Sequence, residues 1–186
     1  MRPLLFFTSL WIMPVLLQGQ DLNTTLLHNL QYDVGVNDIW GYSTDNGQEY
    51  AIVGTDIGTS IVRVTLDEIY EAGFISGGQS LWRDLKSWDE YLYVGTENAN
   101  GGIQVIDMTN PENPELATTW EGIADSHNIM VHDGFLYIIG AEGSDIYILS
   151  LENPADPQLV GLWEGDYLHD ICVYDHIVYG CGISSH

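Results

Sequence analysis

Basic residues are scarce in this chain. Four Lys and Arg residues stand against 27 Asp and Glu residues, so the formal net charge is −23 at pH 7. A surface this negative repels polyanions, which excludes nucleic acid and anionic membranes as natural partners. Cations, sugars and basic protein patches stay open as partner classes, while solubility in a salty medium is the simpler explanation of the charge itself.

Catalytic motifs are also missing. The sequence has no Gly-x-Ser-x-Gly elbow, no glycine-rich phosphate loop leading into a helix, and no His-Glu-x-x-His zinc motif. The polar turns at 45–49 and 96–100 hold oxygen donors but lack the spacing of an EF-hand calcium loop. The sequence therefore favours a non-enzymatic protein, with chemistry by scattered acidic residues as the alternative.

The chain has two cysteines, which lack the second pair of a zinc knuckle. In the hairpin predicted around 175–176, Cys172 lies opposite Tyr179 and diagonal to Cys181. Diagonal neighbours are about 7 to 8 Å apart, beyond the usual span of a disulfide. A register shift would bring them together, so whether they are bridged stays open.

Long apolar runs are confined to the N-terminus. Arg2 precedes the apolar stretch 4–17, and Gly19 offers a small residue for cleavage. This pattern predicts a signal peptide over 1–19 and a mature chain that starts at Gln20 or Asp21. We therefore expect export to the extracellular space or cell surface, with a retained N-terminal anchor as the alternative.

What the chain does contain is an internal repeat. Residues 102–116 (GIQVIDMTNPENPEL) match 145–159 (DIYILSLENPADPQL) at an offset of 43 residues. Within each copy, short apolar runs are separated by Asp, Asn, Gly and Pro clusters, and no helical periodicity competes with them. Each copy therefore predicts four antiparallel strands in about 42 to 46 residues, the size of one β-propeller blade.

The predicted fold is thus all-β, a β-propeller with about three and a half blades present. Because the last copy holds two strands only, we expect the chain to be an N-terminal fragment of a longer protein. The first mature segment resembles an outermost strand and is predicted to close the ring. The predicted parts of residues 20–186 are a closing strand at about 25–32, blade 1 at about 37–79, blade 2 at about 80–124, blade 3 at about 126–166, and half of blade 4 at about 168–186.

The segment GIQVIDMTNPENP at 102–114 resembles the LVIVD repeat, an apolar strand that ends in Asp before Ser/Thr-Asn-Pro-x-Asn-Pro. Four further segments are similar to the choice-of-anchor B family of secreted bacterial proteins, namely NDIWGY at 37–42, SLWRDLK at 80–86, SHNIMV at 126–131 and LHDICV at 168–173. The resemblance implies a β-propeller-like surface protein without a settled biochemical role. It also implies an anchor in a C-terminal part beyond this sequence. The third copy departs from the pattern, since Ser150 stands where the strand-ending Asp is expected.

Polar residues recur at one position of successive copies, at the entry to the first strand. In a propeller this strand lines the central channel, so these side chains would converge at its mouth. Such a ring would bind a metal, an anion or a sugar, and a divalent cation is the candidate cofactor. The candidate ligand-binding residues are Asp38, Arg83, Asp84, His127, Asn128, His169 and Asp170, and the candidate metal ligands are His127, His169, Asp84 and Asp170.

The same ring has a purely structural interpretation. Asp and Asn side chains commonly bind backbone amides, here between blades. Trp40, Trp82 and Trp88 are candidates to stack on sugar rings, although core packing is the favoured explanation for most of the tryptophans. We therefore hypothesise a non-enzymatic scaffold that binds an extracellular protein or glycan, with a propeller hydrolase or lyase acting on carbohydrate as the alternative.

Overall fold

The computed structural model describes residues 24–140 and 146–183. These residues form fourteen strands and no helix, which confirms the all-β prediction. The strands are β1 Val36–Ser43, β2 Glu49–Thr55, β3 Gly58–Val64, β4 Ile69–Ser76, β5 Arg83–Trp88, β6 Tyr91–Thr96, β7 Ile103–Asp107, β8 Glu115–Trp120, β9 Asn128–His132, β10 Phe135–Ile139, β11 Ile146–Ser150, β12 Gln158–Trp163, β13 Leu168–Tyr174 and β14 Ile177–Gly182.

The strands pair strictly with their neighbours in sequence. Three antiparallel sheets have the orders β1-β2-β3-β4, β5-β6-β7-β8 and β9-β10-β11-β12, and β13 pairs with β14. The predicted four-stranded unit is thereby confirmed, with a final two-stranded pair after it. The first strands of consecutive sheets are neighbours, because β1 contacts β5, β5 contacts β9, and β9 contacts β13.

Turn chemistry explains the short hairpins inside each unit. Asp133 and Gly134 have φ angles of 47° and 75°, and Asp175 and His176 have φ angles of 47° and 62°. Two successive residues with positive φ form the type I′ turn, whose twist matches that of the flanking strands. The four prolines among the described residues lie in connections between the third and fourth strands of a sheet, where no backbone N–H is needed for strand pairing.

Hydrophobic cores lie between consecutive sheets. The first cluster joins Ile52 and Ile61 of the first sheet to Leu85 and Leu92 of the second. Two further clusters link the second sheet to the third, and the third to the β13–β14 pair. Since each sheet buries its apolar face against the next, no sheet has a core of its own, and the units stabilise one another as in other repeat proteins.

Two tyrosines on the second strands of their sheets strengthen these contacts between sheets. The Tyr50 hydroxyl on β2 donates to Glu112 Oε1 at 2.8 Å, and the Tyr93 hydroxyl on β6 donates to the Pro154 carbonyl at 2.9 Å. Both acceptors lie in the proline-rich connection of the following sheet. The connections that interrupt the strand pattern therefore also hold consecutive sheets together.

The Tyr50 contact makes stability sensitive to alkali. Burial, together with the hydrogen bond and negative charge of Glu112, raises the pKa of Tyr50 to about 12 from its usual value near 10. The folded chain therefore holds a proton that the unfolded chain releases between about pH 10 and 12, so stability is expected to fall as pH rises through this window. Urea unfolding from pH 9 to 12 measures the slope, and Tyr50→Phe should reduce it; an equal slope in that variant would contradict the assignment.

The N-terminal segment differs from its predicted role. Residues 24–35 form no strand and lie against the first sheet, where Tyr32 donates to Ser60 Oγ at 3.0 Å and His28 Nε2 lies 3.0 Å from the Leu66 carbonyl. Its pairing as a closing strand with a last blade is not formed in this structure and stays a prediction. The signal peptide predicted over 1–19 lies outside the described residues.

The two cysteines are free and exposed. Cys172 pairs with Tyr179 across β13 and β14, as the hairpin predicts, while Cys181 pairs with Asp170 beyond a register irregularity. In the part of the chain that the structure describes, no helix has the length and apolar character to cross a membrane.

Candidate functional site

A cavity of about 280 Å³ lies where the first strands of the four sheets begin. Each sheet contributes the same repeat position, since the residues come from the start of β1, β5, β9 and β13 or directly precede these strands. The lining residues are Asn37, Asp38, Trp82, Arg83, Asp84, His127, Asn128 and His169. Neighbouring first strands thus bring together side chains that are separated by 40 residues or more in sequence.

The structure gathers every predicted ligand-binding residue into this cavity except Asp170. Asp170 is exposed, and its Oδ1 accepts the amide of the following residue, Ile171, at 2.7 Å. In contrast, Asp84 at the equivalent position reaches the next sheet. Asp170 lies on the last described sheet, with no further sheet to bind among the described residues, which explains the difference.

Two of the carboxylates bind the backbone of the following sheet. Asp38 Oδ2 accepts the Leu85 amide at 3.0 Å, and Asp84 Oδ2 accepts the Ile129 amide at 2.7 Å. Asp84 Oδ1 also accepts the Leu85 amide at 2.9 Å and pairs with Lys86. Burial raises the pKa of Asp84 above its ordinary value, against the opposing effects of Lys86 and the Ile129 amide. The structural interpretation of the ring is therefore correct for Asp38 and Asp84.

Arg83 lines the cavity and is 4% exposed. Its Nη1 donates to the Thr55 carbonyl at 2.6 Å, and its Nη2 donates to the Gly78 carbonyl. Among the described residues no carboxylate forms an ion pair with it, and its Nε has no partner. Burial lowers the pKa of the guanidinium, and the negative charge of Asp56 opposes this effect.

The two histidines and a glutamate form a series of side-chain hydrogen bonds. This glutamate, Glu97, was not identified from the sequence. His127 Nδ1 lies 2.5 Å from Glu97 Oε1, and His127 Nε2 lies 2.9 Å from His169 Nε2. Since a carboxylate accepts, Nδ1 of His127 carries a proton. In the neutral ring Nε2 is then the acceptor, so His169 Nε2 donates. The sequence held a signal for Glu97, because the residue directly after the second strand is acidic in two successive copies. Asp56 follows β2 as Glu97 follows β6.

This arrangement does not fit a metal centre. Within residues 24–140 and 146–183, no group of three or more His, Cys, Asp or Glu side chains is placed to hold a metal ion. The histidine pair supplies two nitrogen atoms that face each other, while Asp84 is occupied by backbone amides and Lys86. The divalent cation proposed from sequence is therefore left with too few ligands in the described part of the chain.

The tryptophans have separate environments. Trp82 is 53% exposed at the cavity. Trp40 is half-buried, donating to Ser87 Oγ at 2.9 Å with Lys86 over its ring, and Trp88 packs against the second core. Of the three candidates for sugar stacking, Trp82 alone lines this cavity with much of its surface free.

Comparison with known proteins finds no family model that matches this chain and no significantly similar curated protein. The LVIVD and choice-of-anchor B resemblance therefore stays a prediction from the sequence motifs.

Proposed function

We propose that this chain is part of an exported β-propeller of the LVIVD type that binds an extracellular protein or glycan without transforming it. The observation that carries this proposal is the cavity into which the first strands of the four sheets bring polar side chains from one repeat position. A ligand seated there would contact every sheet. Binding would therefore depend on the assembled fold and not on any single repeat.

The propeller geometry is supported by the relation between the sheets. Consecutive four-stranded sheets contact through their first strands, share cores, and are joined at the same end by Asp38 and Asp84. In a ring built this way the first strands surround a central axis and the fourth strands lie outside. Ring closure would also cover the exposed apolar residues of β14, including Ile177 and Tyr179.

The charged groups of the cavity favour binding over catalysis. Asp84 is occupied by two amides and Lys86, and Arg83 by two carbonyls. Groups held in this way cannot easily exchange protons with a substrate, because releasing them would leave buried backbone groups unpaired. The ring of acidic residues therefore supports the fold that forms the cavity.

An enzyme is the second candidate because Glu97 orients His127 as a carboxylate orients a general base. The nitrogen that would act as the base, Nε2, is occupied by His169. Catalysis would require His169 to move and release it. This extra step ranks the hydrolase or lyase function below the binding scaffold.

A thermal-shift experiment tests the proposed function. Neutral sugars, uronates and short peptides are added to the full chain at concentrations about 100-fold above their dissociation constants, where a bound ligand adds about 2.7 kcal/mol of stability. We expect at least one class to raise the unfolding temperature by several degrees. Trp82→Ala should lose the shift, while Trp163→Ala, which removes an exposed tryptophan on β12 outside the cavity, should keep it.

Two outcomes would count against this function. If no compound shifts unfolding, or if both tryptophan variants respond like the original chain, the cavity is not a binding site. Mass spectrometry of the recovered compounds separates binding from turnover. A compound that is converted by the original chain and recovered intact with Glu97→Gln would favour the enzyme.

A further inference from the structure

Most charged groups around the cavity already have partners within the protein. The charged ones, Asp84 and Arg83, are occupied by the protein's own backbone and by Lys86, and Asp38 is partly occupied. A charged ligand would have to compete with these internal partners. Apart from Arg83 Nε, which is buried without a partner, these groups leave little for a charged ligand to bind.

One neutral side chain at the cavity, Asn37, has no partner at all among the described residues. Both polar atoms of the Asn37 side chain, Oδ1 and Nδ2, are buried with no hydrogen bond in the described part of the chain. Asn128, with a second amide, and Trp82, with an indole N–H, line the same cavity. Buried amide groups without partners are rare in folded proteins, and each one needs an explanation such as a bound molecule.

The position of Asn37 depends on a glycine. A Cβ placed on Gly54 would lie 2.4 Å from Asn37 Oδ1, so the amide occupies space that only glycine leaves free. The amide is covered in the free chain, so binding requires neighbouring side chains to adjust, and rotamer changes of this kind are common at interfaces. A buried amide without partners costs stability, and such a cost is commonly retained where a residue serves function.

Amides beside an exposed aromatic ring match one ligand chemistry. Amide groups both donate and accept hydrogen bonds, as a pair of adjacent hydroxyls requires. The exposed indole of Trp82 presents an apolar face for ring C–H groups, with an N–H at its edge. Resting on the proposed binding function, we propose that the cavity binds a neutral sugar ring, with Asn37 and Asn128 binding its hydroxyls and Trp82 its apolar face.

Saturation-transfer NMR on the full chain tests this proposal. The probes are the methyl glycosides of glucose, galactose and mannose, with glucuronate, galacturonate and trialanine as competing classes. We expect signals from at least one neutral glycoside. The affinity should fall about tenfold or more in Asn37→Leu and in Asn128→Leu, because the lost hydroxyl contacts have no replacement. Asn113→Leu, a matched change at an exposed site outside the cavity, should bind as the original chain does.

Stability distinguishes a ligand-binding role of Asn37 from a structural one. Because Asn37 has no partner in the free chain, Asn37→Leu should raise the unfolding temperature by about 3 °C. A fall in unfolding temperature together with unchanged glycoside binding would overturn the role of Asn37.

The competing probes separate the two levels of the proposal. Cavity-dependent signals from uronates or trialanine alone would overturn the neutral sugar and leave the binding function standing. Signals from no probe, or signals that no cavity variant reduces, would overturn both.

Discussion

Replacing Asp84 with alanine is expected to lower the free energy of unfolding by about 3 kcal/mol, since hydrogen bonds to a charged group contribute more than neutral ones. Asp84 has a side chain that is 13% exposed and joins the second sheet to the third through the Ile129 amide. Without the carboxylate, this amide has no acceptor at the position where β9 begins. Lys86 would lose its ion-pair partner at the same time.

The repeat supplies a matched control. Asp170 occupies the same position in the last sheet but is exposed and binds the Ile171 amide within its own strand. Asp170→Ala should therefore change stability by no more than about 0.5 kcal/mol. Urea unfolding followed by tryptophan fluorescence measures both variants.

Equal losses in the two variants would show that the Asp at this position stabilises its own strand entry and does not link the sheets. A loss in Asp84→Ala alone supports the link. The walls of the cavity come from different sheets, so loss of the link could also disrupt the cavity. Repeating the thermal-shift experiment with Asp84→Ala would then indicate whether the cavity still binds its ligand.

Gly102→Ala is expected to destabilise the chain by about 3 kcal/mol or more, among the larger effects of single substitutions. Gly102 has a φ angle of +57°, in the left-handed region that costs other residues about 1 to 2 kcal/mol. A Cβ there would also lie 2.5 Å from the Trp120 carbonyl oxygen, a backbone atom of β8. Relief of this contact requires the β7–β8 pairing at Ile103 and Trp120 to shift.

Gly41→Ala provides the comparison for Gly102→Ala. Gly41 lies in β1, is exposed, and has no atom within 4 Å of the position that a Cβ would take. Alanine there should be neutral or stabilise by about 0.5 kcal/mol, because it restricts the unfolded chain. Similar losses at Gly41 and Gly102 in thermal unfolding would contradict the steric argument.

Much of the fold was predictable because its determinants are local. Alternating apolar runs, two-residue Asp-Gly and Asp-His turns and the proline-rich connections define the strand boundaries without reference to the rest of the molecule. The 43-residue offset between Leu116 and Leu159 then indicates that the same sheet recurs. The pairing of Cys172 with Tyr179 followed from the same turn chemistry.

The candidate site was predictable in part. Repetition placed Asp38, Asp84 and Asn128 at one position of the unit, and the structure brings them to one cavity. Glu97 was missed because it belongs to a different strand end and meets His127 only across two sheets. The exposure of Trp82 was likewise not predictable, since a tryptophan at the entry to a strand is equally suited to a core.

The amino-acid pattern was sufficient to define the strands, the repeat and the set of polar positions at the entry to each unit, because these depend on residues close in sequence. Contacts between sheets decided the rest. They engage Asp38 and Asp84 with backbone amides, hold Arg83 between carbonyls, join His127 to His169, and leave the Asn37 side chain without a partner. Which polar group stays free for a ligand depends on what the neighbouring sheet offers it, and that is a property of the packed structure alone.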